Sequence, residues 1–248
     1  MAIHYIYSGG ESPKWYKKQK SVYKFLPLFD AFHCLDTSSF WFSNPERWKD
    51  PYEKLFLTAS YQKQKESKEF PYGVLCFCAR LDPNCEAAWR MYGNDTVRFC
   101  VHLETFMNRI GQSIGDRDVY VGKVMYKKRK DIKELTLNDL KGLFCCEGIP
   151  LDPYIASMFI KRESFRYEHE MRILIKYPKT ANMVNGEEIS FKDYKSVIKN
   201  VLLAPDTDRP DQKKNFFHKH YGFSVNKKDA NVKKSSLYGS PARLTVKE

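Results

Sequence analysis

Two carboxylates and an arginine stand at alternate positions, Glu168, Glu170 and Arg172, just ahead of the apolar residues Ile173, Leu174 and Ile175. In an extended chain, successive side chains point to opposite faces. The three charged groups then share one face, and Met171, Ile173 and Ile175 turn into a core. The trio either lines a polar cleft or stands on an open sheet face. An anionic carboxylate aimed at developing positive charge is one chemistry open to it. A metal-dependent nuclease is another, with Asp50, Glu168 and Glu170 sharing a divalent cation, although methionine fills the position after Glu170 where such sites usually carry lysine. Taken alone, Glu-x-Glu also fits a solvated strand face.

The other reactive residue types are less organised. Cys76 and Cys78 would share a strand face, and Cys85 and Cys100 are candidates to lie near it, but no paired C-x2-C or H-x3-H spacing completes a zinc set, so no metal is expected. The six histidines are scattered and form no nucleophile–base pair by spacing. Neither a phosphate-binding G-x-x-x-x-G-K-[ST] loop nor a G-x-G-x-x-G turn is present. Trp48 lies between Arg47 and Lys49 in a turn-rich loop bracketed by Asn44-Pro45 and Asp50-Pro51, where a half-exposed ring over a cleft is plausible.

Patterning predicts the elements that must position these residues. Strands are expected over 21–26, 40–43, 73–79, 96–103, 118–126, 168–177 and 196–203, with short ones near 224 and over 243–246. Helices are expected over 28–35 with Phe29, Phe32 and Leu35 on one face, and over 84–92 closed by Gly93. Further helices fall at 104–114, 136–145 and 153–162, and a last one is capped by Thr207 or Asp208 and runs from Pro210 to Gly222. The loop over 44–51 should be exposed at a strand end, and 61–70 should be an exposed connection. The sum is a single α+β domain over 1–248, with a mixed, mostly antiparallel sheet and flanking helices.

No apolar run approaches the roughly 18–20 residues that span a bilayer. No secretory leader is visible at the start, so a cytoplasmic protein without membrane partners is expected, its seven cysteines reduced. The net charge is +12, and residues 211–248 hold nine basic residues against three acids. This basic C-terminal portion favours a polyanionic partner such as nucleic acid. Trp41, Trp48 and Trp89 could stack bases beside it.

Several blocks read together are more specific. They are Val22-Tyr23-Lys24-Phe25, the stretch from Phe40-Trp41-Phe42-Ser43-Asn44-Pro45 to Asp50-Pro51-Tyr52-Glu53, then Cys76-Phe77, Trp89 with Tyr92, and Tyr167-Glu168-His169-Glu170-Met171-Arg172. In this order they resemble a bacterial family catalogued as a domain of unknown function, whose arginine after the first block is here Leu26. The resemblance covers about residues 23–205.

A looser similarity is to the NAD-dependent ADP-ribosyltransferases. It implies NAD as substrate, Glu170 as the catalytic carboxylate and Glu168 orienting the acceptor. It further implies Trp41 and Ser43 at the nicotinamide ribose, and Tyr23, Lys24 and Arg172 at the cofactor, with Lys24 or Arg172 on phosphate. Trp48, Asp50, Glu53, Trp89 and Tyr92 are then expected on the substrate or partner surface. The implied setting is bacterial defence, including phage defence, or a toxin, with a nucleic acid or protein acceptor and a neutralising partner. The alternative is a non-catalytic nucleic-acid or protein-binding module. In that case Glu168 and Glu170 face open solvent, and Trp41, Trp48 and the basic tail make one patch.

Overall fold

Strand β11 (Glu170–Lys176) runs through the centre of the molecule, flanked on both edges and with every residue but Lys176 buried. Met171, Ile173 and Ile175 enter one core and Leu174 the other. The computed structural model describes residues 2–9, 11–55, 72–80, 86–93, 95–178, 185–226 and 229–238. The remaining strands are β1 (Ala2–Ser8), β2 (Ser21–Pro27), β3 (Ser39–Ser43), β4 (Tyr72–Cys78), β5 (Thr96–His102), β6 (Asp118–Lys123), β7 (Met125–Lys127), β8 (Phe144–Cys146), β9 (Ile149–Pro150), β10 (Ile160–Arg162), β12 (Gly186–Ser190), β13 (Ile198–Leu203) and β14 (Val232–Lys234). Twelve of the fourteen form one sheet in the order β14-β13-β5-β2-β4-β11-β6-β1-β8-β9, with β3 joining β4 and carrying β12. Pairing in it is antiparallel except for β1 with β6 and β13 with β14; β7 and β10 form a separate parallel pair. The fold is α+β, as the sequence patterning predicts.

Helices cover both faces. On one, Leu103–Ile114 buries Leu103, Phe106, Met107, Ile110 and Ile114 against Phe40, Phe77 and Val121. On the other, Ile155, Ala156 and Phe159 pack on Ile6, Val74 and Leu174. Each such side chain, fully withdrawn from water, contributes about 1.5–3 kcal/mol. Gly122 is opposite Arg172 in β11. A Cβ there would lie 2.9 Å from the Phe159 ring and 3.0 Å from Ile6.

The sheet forks at β4. Strand β2 meets β4 at Tyr23 opposite Cys78, and β3 meets it at Ser43 opposite Val74, so among the described residues no strand lies beside the edge at Cys76. Side chains fill the fork. The Lys24 ammonium donates to the Cys76 carbonyl at 3.0 Å, and the Ser43 hydroxyl donates to the Val74 carbonyl at 3.2 Å.

Several expected elements are corrected. In the helix Leu28–Thr37 the buried residues are Ala31, Cys34 and Leu35, while Phe29 is exposed. The strand expected over 118–126 breaks at Val124, whose N–H donates to the Glu170 carbonyl at 2.9 Å while the chain leaves the sheet to form β7. The helices expected over 136–145 and 153–162 are Leu137–Leu143 and Pro153–Ser157, each followed by a short strand, because Phe144 and Ile160 find backbone partners in β1 and β7. The helix Pro210–Tyr221 is preceded by Arg209 at φ 42°, not by a Thr207 or Asp208 cap. Strands β1 and β12 carry no strong alternation in sequence. The expected segments 61–70 and 243–246 lie outside the described residues, and the late strand is Val232–Lys234 rather than one near 224. Among the described residues no helix is long and apolar enough to cross a membrane.

Candidate functional site

The two Asx-Pro blocks are helix starts. Asn44 accepts from the Glu46 N–H at 2.9 Å with Pro45 in the first helical position. Asp50 accepts from the Tyr52 N–H at 3.0 Å, and the 51–55 segment turns helical behind it. The expected exposed loop therefore folds back on the sheet: Asn44, Pro45 and Glu53 are buried and Trp48 half-buried. One turn after Asp50, Glu53 reaches Arg172.

Arg172 is 1% exposed and makes four hydrogen bonds, using all three of its nitrogens. Its Nε donates to Glu170 at 2.8 Å, Nη2 to Glu170 at 3.1 Å and also to Glu53, and Nη1 to the Met158 carbonyl at 2.6 Å. The Trp48 ring stacks on the guanidinium at 4.3 Å. Lys161, on β10, bridges the two motif glutamates at 2.6 Å to Glu168 and 3.0 Å to Glu170. Five charged side chains, three acidic and two basic, thus meet in one buried cluster.

Glu168 does not lie on the strand. It ends a 3-10 helix, Glu163–Glu168, and His169 then turns the chain at φ 42° and ψ 50° before β11 begins. That left-handed conformation is uncommon for a residue with a Cβ. The turn is held by the His169 carbonyl accepting from the Ala79 N–H at 2.7 Å and by the Glu170 N–H donating to the Tyr126 hydroxyl at 2.7 Å. Glu168 and Glu170 come together through Lys161, not through strand alternation. Neither an open face nor an isolated cleft describes them, since both carboxylates are buried.

Their protonation behaviour diverges. Burial pushes the Glu170 carboxyl up, but the charges of Arg172 and Lys161 and the hydrogen bonds from Arg172 and the Cys76 thiol outweigh it and hold the group well below the usual range. Glu168 is pushed up, first by burial and then by Glu170, against the opposing pull of Lys161. Lys161 and Arg172 lose by burial and gain more from the carboxylates, so both stay charged.

Beside the cluster a row of side chains crosses four strands on one sheet face: Cys100, Tyr23, Cys78 and Glu170 are direct cross-strand neighbours. The helix Glu86–Tyr92 covers part of this face. Trp89 packs edge-on to Phe25 at 4.9 Å and Tyr92 stacks on it at 5.6 Å. The Tyr92 phenol is pushed up by burial and then by Cys78 and Glu168. Cys78 is pushed up to about 12, by burial and then by Glu168 and Glu170.

The structure therefore gathers Glu168, Glu170, Arg172, Glu53, Trp48, Tyr23 and Tyr92 around one region. Asp50 stands behind it, paired with Arg162 at 2.9 Å. Trp41 and Ser43 lie elsewhere. Ser43 is opposite Val74, four residues from Cys78 along β4 and so about 14 Å away, and Trp41 is exposed beside β12. Lys24 and Arg172 are engaged by the Cys76 carbonyl and by Glu53 and Glu170. Sequence reasoning missed Lys161 and Tyr126, which have no periodic or motif signal. It also missed Arg98, whose signal was a lone charge inside the apolar strand from Val97 to Val101.

Among the described residues no group of three or more His, Cys, Asp or Glu side chains is arranged to hold a metal ion. No family model matches the chain, and no match was found among curated proteins or among solved structures. The site is accordingly read from its own geometry.

Proposed function

We propose that this protein is an ADP-ribosyltransferase-like enzyme that cleaves NAD and transfers the ADP-ribosyl group to a nucleic acid or protein. The observation that carries the reading is the divergence of the two motif glutamates at the end of an aromatic-roofed row. Glu170 is saturated by Arg172 and Lys161. Glu168 spends its Oε2 on Lys161 and has a raised affinity for protons. Pairs of carboxylates whose environments push them apart are a recurring acid–base device.

In this reading the bond between ribose C1′ and the nicotinamide nitrogen breaks, and its electron pair leaves with nicotinamide. The anomeric carbon becomes cationic and the Glu168 carboxylate stabilises it. The acceptor nucleophile then attacks C1′ and its proton passes to Glu168. Glu170 is a positioning residue: it holds Lys161, which in turn holds Glu168. This exchanges the roles that the resemblance implied for the two residues, because a carboxylate that accepts from a guanidinium fork, an ammonium and the Cys76 thiol has no lone pair left for a sugar.

The test is nicotinamide release from NAD by purified protein, with and without added nucleic acid. Release by the wild type, lost in Glu168→Gln at unchanged folding and rising with pH as the Glu168 carboxyl ionises, supports the assignment. Absence of release and of NAD binding in calorimetry removes the enzyme reading. The second reading, a binding module for nucleic acid or protein, is favoured by the saturation of Arg172, which suits a structural strut, and by the net charge of +12. It predicts salt-dependent nucleic-acid binding that Glu168→Gln does not alter.

A further inference from the structure

Strand β5 carries one basic residue, Arg98, between Val97 and Phe99. Val97 and Phe99 enter the larger core, so Arg98 projects from the opposite face, the one that bears Tyr23 and Cys100. Its guanidinium leans over the Tyr23 ring at 5.2 Å. The Nε is buried and has no hydrogen-bond partner. No carboxylate among the described residues lies within ion-pairing distance of it. The other partly or fully buried arginines among the described residues contrast with this: Arg109 pairs with Asp193, Arg117 with Glu187, Arg162 with Asp50, and Arg172 with Glu53 and Glu170. The groups that act on Arg98 electrostatically are Tyr23, Cys100 and Cys78, none of them a carboxylate.

Arg98 is partly buried, and a guanidinium whose Nε is withdrawn from water without a counter-ion is costly unless an anion completes it. Its planar fork matches phosphate oxygens two at a time, a geometry a lysine does not offer. The location is specific as well. Strand β5 stands three strand spacings from β11, about 14 Å, and Arg98 leans over Tyr23 toward the carboxylates. A ligand whose reacting carbon lies at Glu168 would thus reach Arg98 with a group one sugar further on.

We propose that Arg98 is the anion anchor of this face and takes the pyrophosphate of the dinucleotide, with the Tyr23 ring as its backing. This rests on the transferase reading for the identity of the ligand, whereas the anion site itself rests on Arg98 alone.

The test is calorimetry with ADP-ribose and with inorganic pyrophosphate on the full chain, for the wild type, Arg98→Gln, Arg98→Lys and the exposed control Lys199→Gln. The expected result is wild-type binding of both probes, weakened about tenfold or more in Arg98→Gln, which removes charge-assisted hydrogen bonds. Arg98→Lys should be intermediate, and Lys199→Gln should bind like the wild type. Thermal unfolding of each variant establishes that it is folded. Wild-type protein that binds neither probe, or binding unchanged in both Arg98 variants, overturns the proposal. Failure of the transferase reading looks different: Arg98-dependent pyrophosphate binding without nicotinamide release keeps the anion site and removes the enzyme.

Discussion

Arg172→Met is the most informative perturbation of stability. Methionine keeps an unbranched stem of similar reach and packs against Trp48, so the change removes the charge with little change of volume. What remains is two carboxylates, Glu53 and Glu170, buried at 8% and 4% exposure with only Lys161 to offset them. Removing one partner of a buried ion pair costs about 3–5 kcal/mol, chiefly because the other is left uncompensated. At about 2–4 °C per kcal/mol for a chain of this size, the melting temperature should fall by about 6–20 °C. Urea unfolding at pH 7 measures the free energy directly. Pairing the substitution with Glu53→Gln should return about 1–3 kcal/mol, because the amide leaves no stranded charge. A single variant within about 1 kcal/mol of the wild type, or strict additivity in the double variant, would show that the five charges do not act as one unit.

The two motif glutamates should respond oppositely to pH. Glu170 has a folded value below its unfolded one, so its stabilisation is present above the unfolded range near 4.3 and fades as pH falls below it. Glu168 is raised, so stability declines as pH climbs from about 4.3 through its folded value and is level beyond. Glu168→Gln should therefore flatten the upper limb and cost no more than about 0.5 kcal/mol at pH 7, whereas Glu170→Gln should flatten the acid limb and destabilise; urea titrations between pH 3 and 8 check both. Gly122→Ala should cost about 1–3 kcal/mol by pressing on Phe159 and Ile6, and chemical denaturation that finds no loss would mean the core gives way there.

Most strands were legible because hydrophobic runs of five to seven residues with β-branched and aromatic content have few other uses, as in Tyr72–Cys78 and Thr96–His102. The helix Leu103–Ile114 was legible from its 3.6-residue period. What escaped was local competition. The Phe144 and Ile160 segments follow helical text without a break, and only partners far along the chain draw them into strands. At the site, Glu168, Glu170 and Arg172 were legible as a group, but alternation gave the wrong reason for it. His169 interrupts the extended chain, and Lys161, seven residues before Glu168, restores the proximity. Trp48 over a cleft became Trp48 over a guanidinium, which no single-sequence pattern encodes. Glu53 emerged from the Asp-Pro-Tyr-Glu block, a helix start whose third helical residue happens to face the core.

The order in which these parts are strung along the chain carries one more implication. Glu53 precedes Arg172 by 119 positions, and β4 waits for β11, whose Glu170 pairs with Cys78. Until β11 emerges, the first half of the chain holds an acidic side chain destined for burial without its counter-ion, and β4 has no partner on that side. Contacts of such sequence separation form slowly, since the loop entropy is spent before the contact is made. Nucleation from the amino-terminal half alone is disfavoured, and the buried charge cluster assembles only once β11 has paired with β4. Any chain interrupted before Glu168 lacks both motif glutamates and Arg172, so the buried charge cluster cannot form in it.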